Sequence, residues 1–181
     1  MKNYLLLSVF LLSAPFVFGQ QKDLKAKEEK ESKLEMFSAE TGSLIEKSNA
    51  EIGKIGPISI NTSLLTNLIS GSKIKGLRIE KPSTKTYGSD AINFLDEDEI
   101  DGVLKSIEIL KGRIKESPSN YTEINFTSRS KFEFGAYFSK EWKYYIQVKK
   151  YDSDSIYFMG ENNLNQFEQL VTQAKAALKA L

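Results

Sequence analysis

The sequence predicts an α+β domain in which antiparallel sheet meanders are each followed by a helix. Apolar and polar residues alternate along short segments that are joined by polar turns, as in consecutive hairpins. The period then changes to that of a helix at two places. The segment from Ile92, INFLDEDEIDGVLKSIEILKG, resembles the segment from Ile156, IYFMGENNLNQFEQLVTQAKA. We therefore expect a duplicated strand-strand-strand-strand-helix unit, in residues 43–116 and 120–181, with both helices on one sheet face.

The first residues have the form of a secretory signal peptide. Lys2 provides a positive charge, Leu5 to Val17 is mainly apolar, and Gly19 occupies the −1 position of a cleavage site before Gln20. The apolar run is shorter than the roughly 20 residues that a membrane-spanning helix needs. We expect residues 1–19 to be removed, the mature protein to be exported to the periplasm or secreted, and no transmembrane segment to remain in it.

A charged tract follows the signal peptide. Between Lys22 and Glu35, lysines and glutamates alternate with few apolar residues, so this stretch buries little surface. We expect residues 20–35 to form a charged flexible linker and residues 36–181 to form a single α+β domain.

The first unit has more predicted strands than the second. A helix is marked by an apolar stripe from Ile100 to Leu110, and Asp96 with Glu99 has the form of a capping box at its start. The acidic run from Asp96 to Asp101 lacks the alternate spacing and central glycine of an EF-hand loop, so helix capping explains it better than calcium binding. The strand candidates are Ser43–Ser48, Glu51–Ile55, Ile58–Leu65, Lys73–Lys81 and Ala91–Leu95.

The second unit has clearer alternation and a longer helix. Leu164, Phe167, Val171, Ala174 and Leu178 mark one apolar helix face. The strand candidates are Tyr121–Thr127, Lys131–Ser139, Trp142–Lys149 and Ser155–Met159.

The composition excludes several kinds of functional site. The chain has 181 residues and contains no histidine and no cysteine. Thiolate nucleophiles, disulfides, Cys/His zinc sites and Ser-His-Asp triads are therefore absent. The residues after Gly19 carry equal numbers of positive and negative charges, which disfavours nucleic acid as a partner. We expect a protein without a cofactor or metal site, and a non-enzymatic role is favoured over an enzymatic one.

The second unit has an unusual density of aromatic residues. More than half of the aromatic side chains of the chain lie between Tyr121 and Phe158. When the residues of each strand are sorted by alternation, one face of the sheet is assigned to the core. On the last strand, this core face is predicted to carry Ile156 and Phe158. The other face combines tyrosines with polar groups, a composition that suits recognition, although strands also favour tyrosine on solvated faces. The predicted ligand-binding residues are Tyr121, Tyr137, Tyr145, Tyr157, Lys143, Gln147 and Lys149.

Two functions are compatible with this pattern. The first is an exported, non-enzymatic binding module that holds a protein, a glycan or a small ligand on the tyrosine-rich sheet face. The second follows from topology: the predicted outline resembles the strand-strand-strand-strand-helix repeat of whirly-type and PUR-type single-strand nucleic-acid-binding folds, and more loosely a pleckstrin-homology-like barrel. The whirly resemblance implies that bases would stack on aromatic side chains beside basic residues. The resemblance is one of topology and involves no sequence motif.

Overall fold

A computed structural model of the chain describes residues 31–181. The predicted signal peptide, residues 1–19, and most of the predicted linker, residues 20–35, lie outside the described residues. The described part has three helices, eight strands and two short 3-10 turns, at Glu97–Glu99 and Ser153–Ser155. The helices and strands are α1 (Lys33–Ser38), β1 (Ile45–Ile55), β2 (Ile58–Asn67), β3 (Lys73–Lys81), β4 (Ala91–Asp96), α2 (Ile100–Arg113), β5 (Thr122–Thr127), β6 (Glu133–Phe138), β7 (Trp142–Gln147), β8 (Ile156–Met159) and α3 (Glu161–Lys179).

The strands form two four-stranded antiparallel sheets, each of which is a simple meander. The first sheet has the order β1-β2-β3-β4 and is followed by α2, and the second has the order β5-β6-β7-β8 and is followed by α3. The predicted fold class, α+β with a helix after each meander, is confirmed. The duplication, and the placement of both helices on one sheet face, stay predictions.

One strand replaces the first two that the sequence predicts. The sequence predicts strands at Ser43–Ser48 and Glu51–Ile55, but β1 continues through the gap between them and has a β-bulge between Glu51 and Gly53. The bulge brings the backbone close to α3, because a Cβ atom at Gly53 would lie 2.7 Å from the Leu170 side chain. A glycine that interrupts a strand pattern can therefore mark a bulge and a close approach of a neighbouring element.

A single hydrophobic core joins both sheets and the two long helices. Ile107 of α2 and Val171 of α3 are buried on the faces that their spacing predicts. Phe134 of β6 packs edge-on against Phe167 of α3, with ring centroids 5.2 Å apart. The longer helix contacts β1, β2 and β3 as well as β8, whereas α2 packs on α3 and β5. The helix of the second unit therefore packs against the first sheet.

The packed domain begins before Met36, where the sequence placed its start. Ser32 caps α1 by accepting a hydrogen bond from the Glu35 N–H at 3.0 Å, and the Ser32 N–H donates to the Glu35 carboxylate at 2.8 Å. Leu34 is fully buried, and a Cβ atom at Gly76 of β3 would collide with it. Residues 32–35 are therefore part of the domain. The sequence signal that could have indicated this is one apolar side chain, Leu34, within a charged tract.

Asp96, the first residue of the acidic run, connects three elements of the fold. Asp96 is buried, and its carboxylate accepts hydrogen bonds from the N–H groups of Lys33 at 2.9 Å and Leu34 at 3.1 Å. The same carboxylate pairs with the Arg129 guanidinium. The Glu99 carboxylate accepts a hydrogen bond from the Asp96 N–H at 3.2 Å, as the capping prediction requires. Asp96 thus joins α1, the start of α2 and the β5–β6 turn.

The two long helices of the described part pack on the core through their apolar faces. Within residues 31–181, no helix combines the length and the apolar character needed to cross a membrane.

Candidate functional site

The candidate site is the outer face of the second sheet, which points away from the shared core. The strand register places Gly135 of β6 between Asn125 of β5 and Tyr145 of β7, and Tyr145 is opposite Phe158 of β8. Side chains at alternate positions along each strand share this face. Tyr137 and Lys143 are direct cross-strand partners on it. We call this surface the tyrosine face; its members are Tyr121, Glu123, Asn125, Glu133, Gly135, Tyr137, Lys143, Tyr145, Gln147, Ile156 and Phe158.

Three tyrosine rings form a row across this face. The ring centroids of Tyr121 and Tyr137 are 6.3 Å apart, and those of Tyr137 and Tyr145 are 6.5 Å apart. Tyr121 is 64% exposed, Tyr137 is partly exposed and Tyr145 is only 6% exposed. The row therefore runs from an open ring to a buried one, and only its first two members can offer large contact area to a ligand.

Tyr145 is buried because its side chain lies across the neighbouring strand. Its hydroxyl is 2.7 Å from Oε1 of Glu133 on β6 and 2.9 Å from Oε1 of Glu123 on β5. Reaching β5 from β7 requires the ring to pass over Gly135, which has no side chain. A Cβ atom at Gly135 would also clash with the Ile124 carbonyl oxygen. A glycine here therefore permits the close approach of β5, and it adds no side chain between Tyr145 and β5.

The two carboxylates that contact the Tyr145 phenol each accept a further hydrogen bond. The Tyr121 hydroxyl donates to the second oxygen of Glu123 at 3.2 Å, and the Thr127 hydroxyl donates to the second oxygen of Glu133 at 3.2 Å. Glu133 is 9% exposed, so its carboxylate depends on these donors for the contacts that water would otherwise supply. The network fixes the rotamers of the side chains beneath the exposed rings.

This environment shifts the acidity of the phenol. Burial, followed by the hydrogen bonds to Glu133 and Glu123, raises the pKa of Tyr145 well above its ordinary value. Ionisation would place a third negative charge beside two carboxylates in a poorly hydrated position. Tyr145 therefore stays protonated and acts as a hydrogen-bond donor on this face. Its position gives it a structural role in the site instead of the direct ligand contact that the sequence suggested.

The assignment of the last strand to faces was wrong. Tyr157 pairs with Ile146 and so points to the inner side, where its ring lies close to Gly56 and packs against the core. Ile156 and Phe158 are on the tyrosine face, and Phe158 is 61% exposed. Both sides of β8 carry large apolar residues, so alternation alone does not distinguish them. The loop before β8, with Tyr151 at φ 65°, also prevents the period from being counted onward from β7.

The remaining predicted residues lie near the face but differ in their roles. Lys143 is exposed within β7, whereas Lys149 is exposed in the loop beyond the strand. The Gln147 amide donates a hydrogen bond to the Asp152 carbonyl at 3.5 Å, so it partly supports the same loop. The structure brings together Tyr121, Tyr137, Tyr145 and Lys143, places Gln147 and Lys149 at the far end, and moves Tyr157 to the core.

A cleft lies where the tyrosine face meets the start of α3. It has a volume of about 480 Å³, within the range typical of ligand sites. Its polar groups are Glu141 and Lys143, and Phe158 supplies an exposed apolar wall. The remaining lining residues are Tyr137, Trp142, Tyr144, Met159 and Gly160.

Sequence reasoning missed two features of this site. Glu123, Glu133 and Tyr145 fall on one face by alternation, but their convergence depends on the strand register. Phe158 was assigned to the core because it is large and apolar. Among residues 31–181, no three Asp, Glu, His or Cys side chains are grouped in a way that could hold a metal ion.

Comparison of the chain with protein-family models, with curated proteins and with solved structures gives no match. Inference about function therefore depends on the geometry and chemistry of the site.

Proposed function

We propose that this protein is an exported, non-enzymatic binding module whose ligand contacts the tyrosine face. The observation that carries the proposal is the row of tyrosine rings beside the exposed Phe158 and Lys143. Aromatic side chains provide large contact area at a small cost in conformational entropy, and tyrosine retains a polar tip that is satisfied in water or in a complex.

The arrangement of the row supports recognition. Tyr145 and Glu133 are buried, and the Tyr145 hydroxyl contacts both Glu133 and the exposed Glu123, so these side chains hold the floor of the face rigid. Tyr121, Tyr137 and Phe158 stand above that floor with exposed ring surface. A rigid platform loses little entropy on binding, which favours affinity. Lys143 at the edge adds a positive charge that can steer an approaching ligand.

The ligand class that fits best is a protein or glycan surface that is uncharged where it meets the rings. Glu123 and Glu133 lie directly beside the ring row, so an anionic group placed over its centre would be repelled. Apolar patches and hydroxyl groups would meet ring faces and carboxylate oxygens instead.

Export is supported by the sequence of residues 1–19. If this part of the proposal holds, the mature chain begins at or within a few residues of Gln20. Intact-mass analysis of the protein from its native host tests it, and a chain that still carries Met1 would contradict it.

Paired double variants test the binding face. Tyr121→Ser with Tyr137→Ser removes the two accessible rings of the row. Tyr87→Ser with Tyr151→Ser removes two tyrosines that are 100% and 88% exposed elsewhere. Capture of partners from the envelope fraction should be lost in the first double variant and retained in the second. Equal capture by both variants, with both folded, would place the binding site elsewhere.

The alternative is single-strand nucleic-acid binding, and one observation favours it. Lys143 is the cross-strand partner of Tyr137, so a basic group adjoins an aromatic ring that could stack on a base. The negative charges of Glu123 and Glu133 beside the row oppose it. A labelled single-stranded oligonucleotide would decide between the two: binding that weakens steeply with added salt supports the alternative, and absence of binding at low salt eliminates it.

A further inference from the structure

The outer face of the first sheet carries a second groove, unrelated to the tyrosine face. It has a volume of about 500 Å³ and crosses all four strands. The register pairs Asn49 of β1 with Ser63 of β2, and places Arg78 of β3 opposite Phe94 of β4. The groove is lined by Lys47, Asn49, Ser63, Leu65, Arg78, Ile92 and Phe94.

The floor of the groove contains a polar group without a partner. Ser63 is 1% exposed, and within the described residues its hydroxyl oxygen has no hydrogen-bond partner. On the next strand, Ser63 is opposite Gly76, where the buried Leu34 of α1 packs. A buried hydroxyl without a partner destabilises a folded protein, and it satisfies its hydrogen-bonding capacity when a ligand supplies the missing group.

The charge of the lining is one-sided. Lys47 and Arg78 contribute two positive charges, and no lining residue is acidic. The Arg78 guanidinium is paired with Glu80, which lies on the same strand. Lys47 is exposed, and none of the ion pairs formed within residues 31–181 includes it. Lys47 pairs with Leu65, which is two residues from Ser63 on the same face of β2, so the groove has an unpaired cation on the strand next to an unpartnered hydroxyl.

Three apolar side chains also line the groove, and one of them, Leu65, is the direct cross-strand partner of Lys47. Leu65 is buried in the floor, Ile92 is 41% exposed and Phe94 is partly exposed. Three apolar side chains next to a cation and a hydroxyl match a ligand that has a charged end and a hydrocarbon body.

We propose that this groove binds a small amphipathic carboxylate. The carboxylate group accepts a hydrogen bond from the Ser63 hydroxyl and pairs with the Lys47 ammonium, while the hydrocarbon body covers Leu65, Ile92 and Phe94. Charge-assisted hydrogen bonds of this kind are the stronger ones in proteins. The site is independent of the tyrosine face and of whatever ligand that face binds.

Calorimetric titration of the purified protein with decanoate tests the proposal. The expected result is saturable binding at one site, with decanol, which lacks the charge, binding much more weakly. Ser63→Ala and Lys47→Gln should each weaken decanoate binding by roughly ten-fold or more. Lys105→Gln, which changes an exposed lysine on α2, is the matched control and should bind decanoate like the parent protein.

Ser63→Ala also has a signature in the absence of decanoate. Removing an unpartnered hydroxyl should raise the melting temperature by roughly 2–4 °C while binding is weakened. The proposal is overturned if the parent protein shows no saturable binding, if decanol binds equally well, or if the control lysine variant loses as much affinity as Lys47→Gln. It is also overturned if Ser63→Ala becomes more stable but binds decanoate unchanged, because the hydroxyl would then be only a packing defect.

Discussion

The Tyr145 hydroxyl donates a hydrogen bond to Glu133 across the neighbouring strand, with 2.7 Å between the two oxygens. This bond lies on the side of the sheet that faces away from the hydrophobic core, yet Tyr145 is 6% exposed and Glu133 is 9% exposed. The outer face of the second sheet is therefore organised by a buried polar contact instead of by solvated side chains.

Removing this phenol oxygen should destabilise the protein. Tyr145→Phe keeps the ring but leaves the buried Glu133 carboxylate with fewer donors, which costs about 1.5–3 kcal/mol for a hydrogen bond to a charged group. Urea unfolding measures the change. Tyr121→Phe is the matched control, because its hydroxyl donates to Glu123 from an exposed position, and it should leave the free energy of unfolding nearly unchanged. Equal effects from the two variants would show that the Tyr145 contact has no special role.

The same contact predicts a loss of stability at alkaline pH. The pKa of Tyr145 is raised above its ordinary value of 10.0 in the folded protein. The neutral phenol therefore stabilises the fold fully below the pKa of the unfolded chain, and this contribution declines as the pH rises above it. The difference in unfolding free energy between the parent protein and Tyr145→Phe should be constant from about pH 7 to pH 9 and should shrink above about pH 10. A difference that grows at alkaline pH would contradict the direction of the shift.

Replacing the glycine at position 135 should destabilise the protein. A Cβ atom there would collide with the Ile124 carbonyl oxygen and would lie 2.9 Å from the Asn125 Cα atom of β5. We expect Gly135→Ala to destabilise the protein by about 1–3 kcal/mol, as overpacking does.

Gly112→Ala provides the control for that substitution. Gly112 lies in α2, and a Cβ atom added there would meet no other atom within 4 Å, so alanine should stabilise the helix by up to about 1 kcal/mol. Thermal melts of the two variants should shift in opposite directions. A shift in the same direction for both would mean that the β5–β6 contact is looser than the structure indicates.

Leu34 tests where the domain begins. It is fully buried against the outer side of the first sheet, so Leu34→Ala should cost about 2–5 kcal/mol. Met36→Ala, two residues later at 53% exposure, should have little effect. Denaturant unfolding compares the free energies of unfolding of the two variants. If Leu34→Ala leaves this free energy unchanged, the domain begins at Met36, as the sequence predicts.

The sequence was most informative for elements in which a single hydrophobic periodicity, that of a strand or that of a helix, dominates. The alternation in β6 and β7 and the apolar stripes of α2 and α3 each have one buried face, and these elements were predicted with their core residues. β8 carries large apolar residues on both faces, so the sequence analysis assigned Tyr157 and Phe158 each to the wrong face of the sheet. The first strand was divided between Ser48 and Glu51 because its alternation is weak and Gly53 interrupts it, whereas the structure has one strand with a bulge at Gly53.

The site required information that periodicity does not contain. Alternation places Glu123, Glu133 and Tyr145 on one side of a sheet, but only the register shows that they meet over Gly135. Ser63 is opposite Gly76, where Leu34 of α1 packs, and the sequence assigned Leu34 to a linker. Contacts between distant segments decide both features.

The central claim is that a ligand contacts the exposed rings of the tyrosine face, and site-specific crosslinking tests it most directly. A photoreactive phenylalanine analogue replaces Tyr137 in one variant and Tyr87 in another, and both variants are expressed and irradiated in the native host. Tyr87 is fully exposed, so it reports random encounters. The proposal predicts a discrete crosslinked product at position 137 that is absent at position 87. No product at position 137, or the same products at both positions, would contradict it.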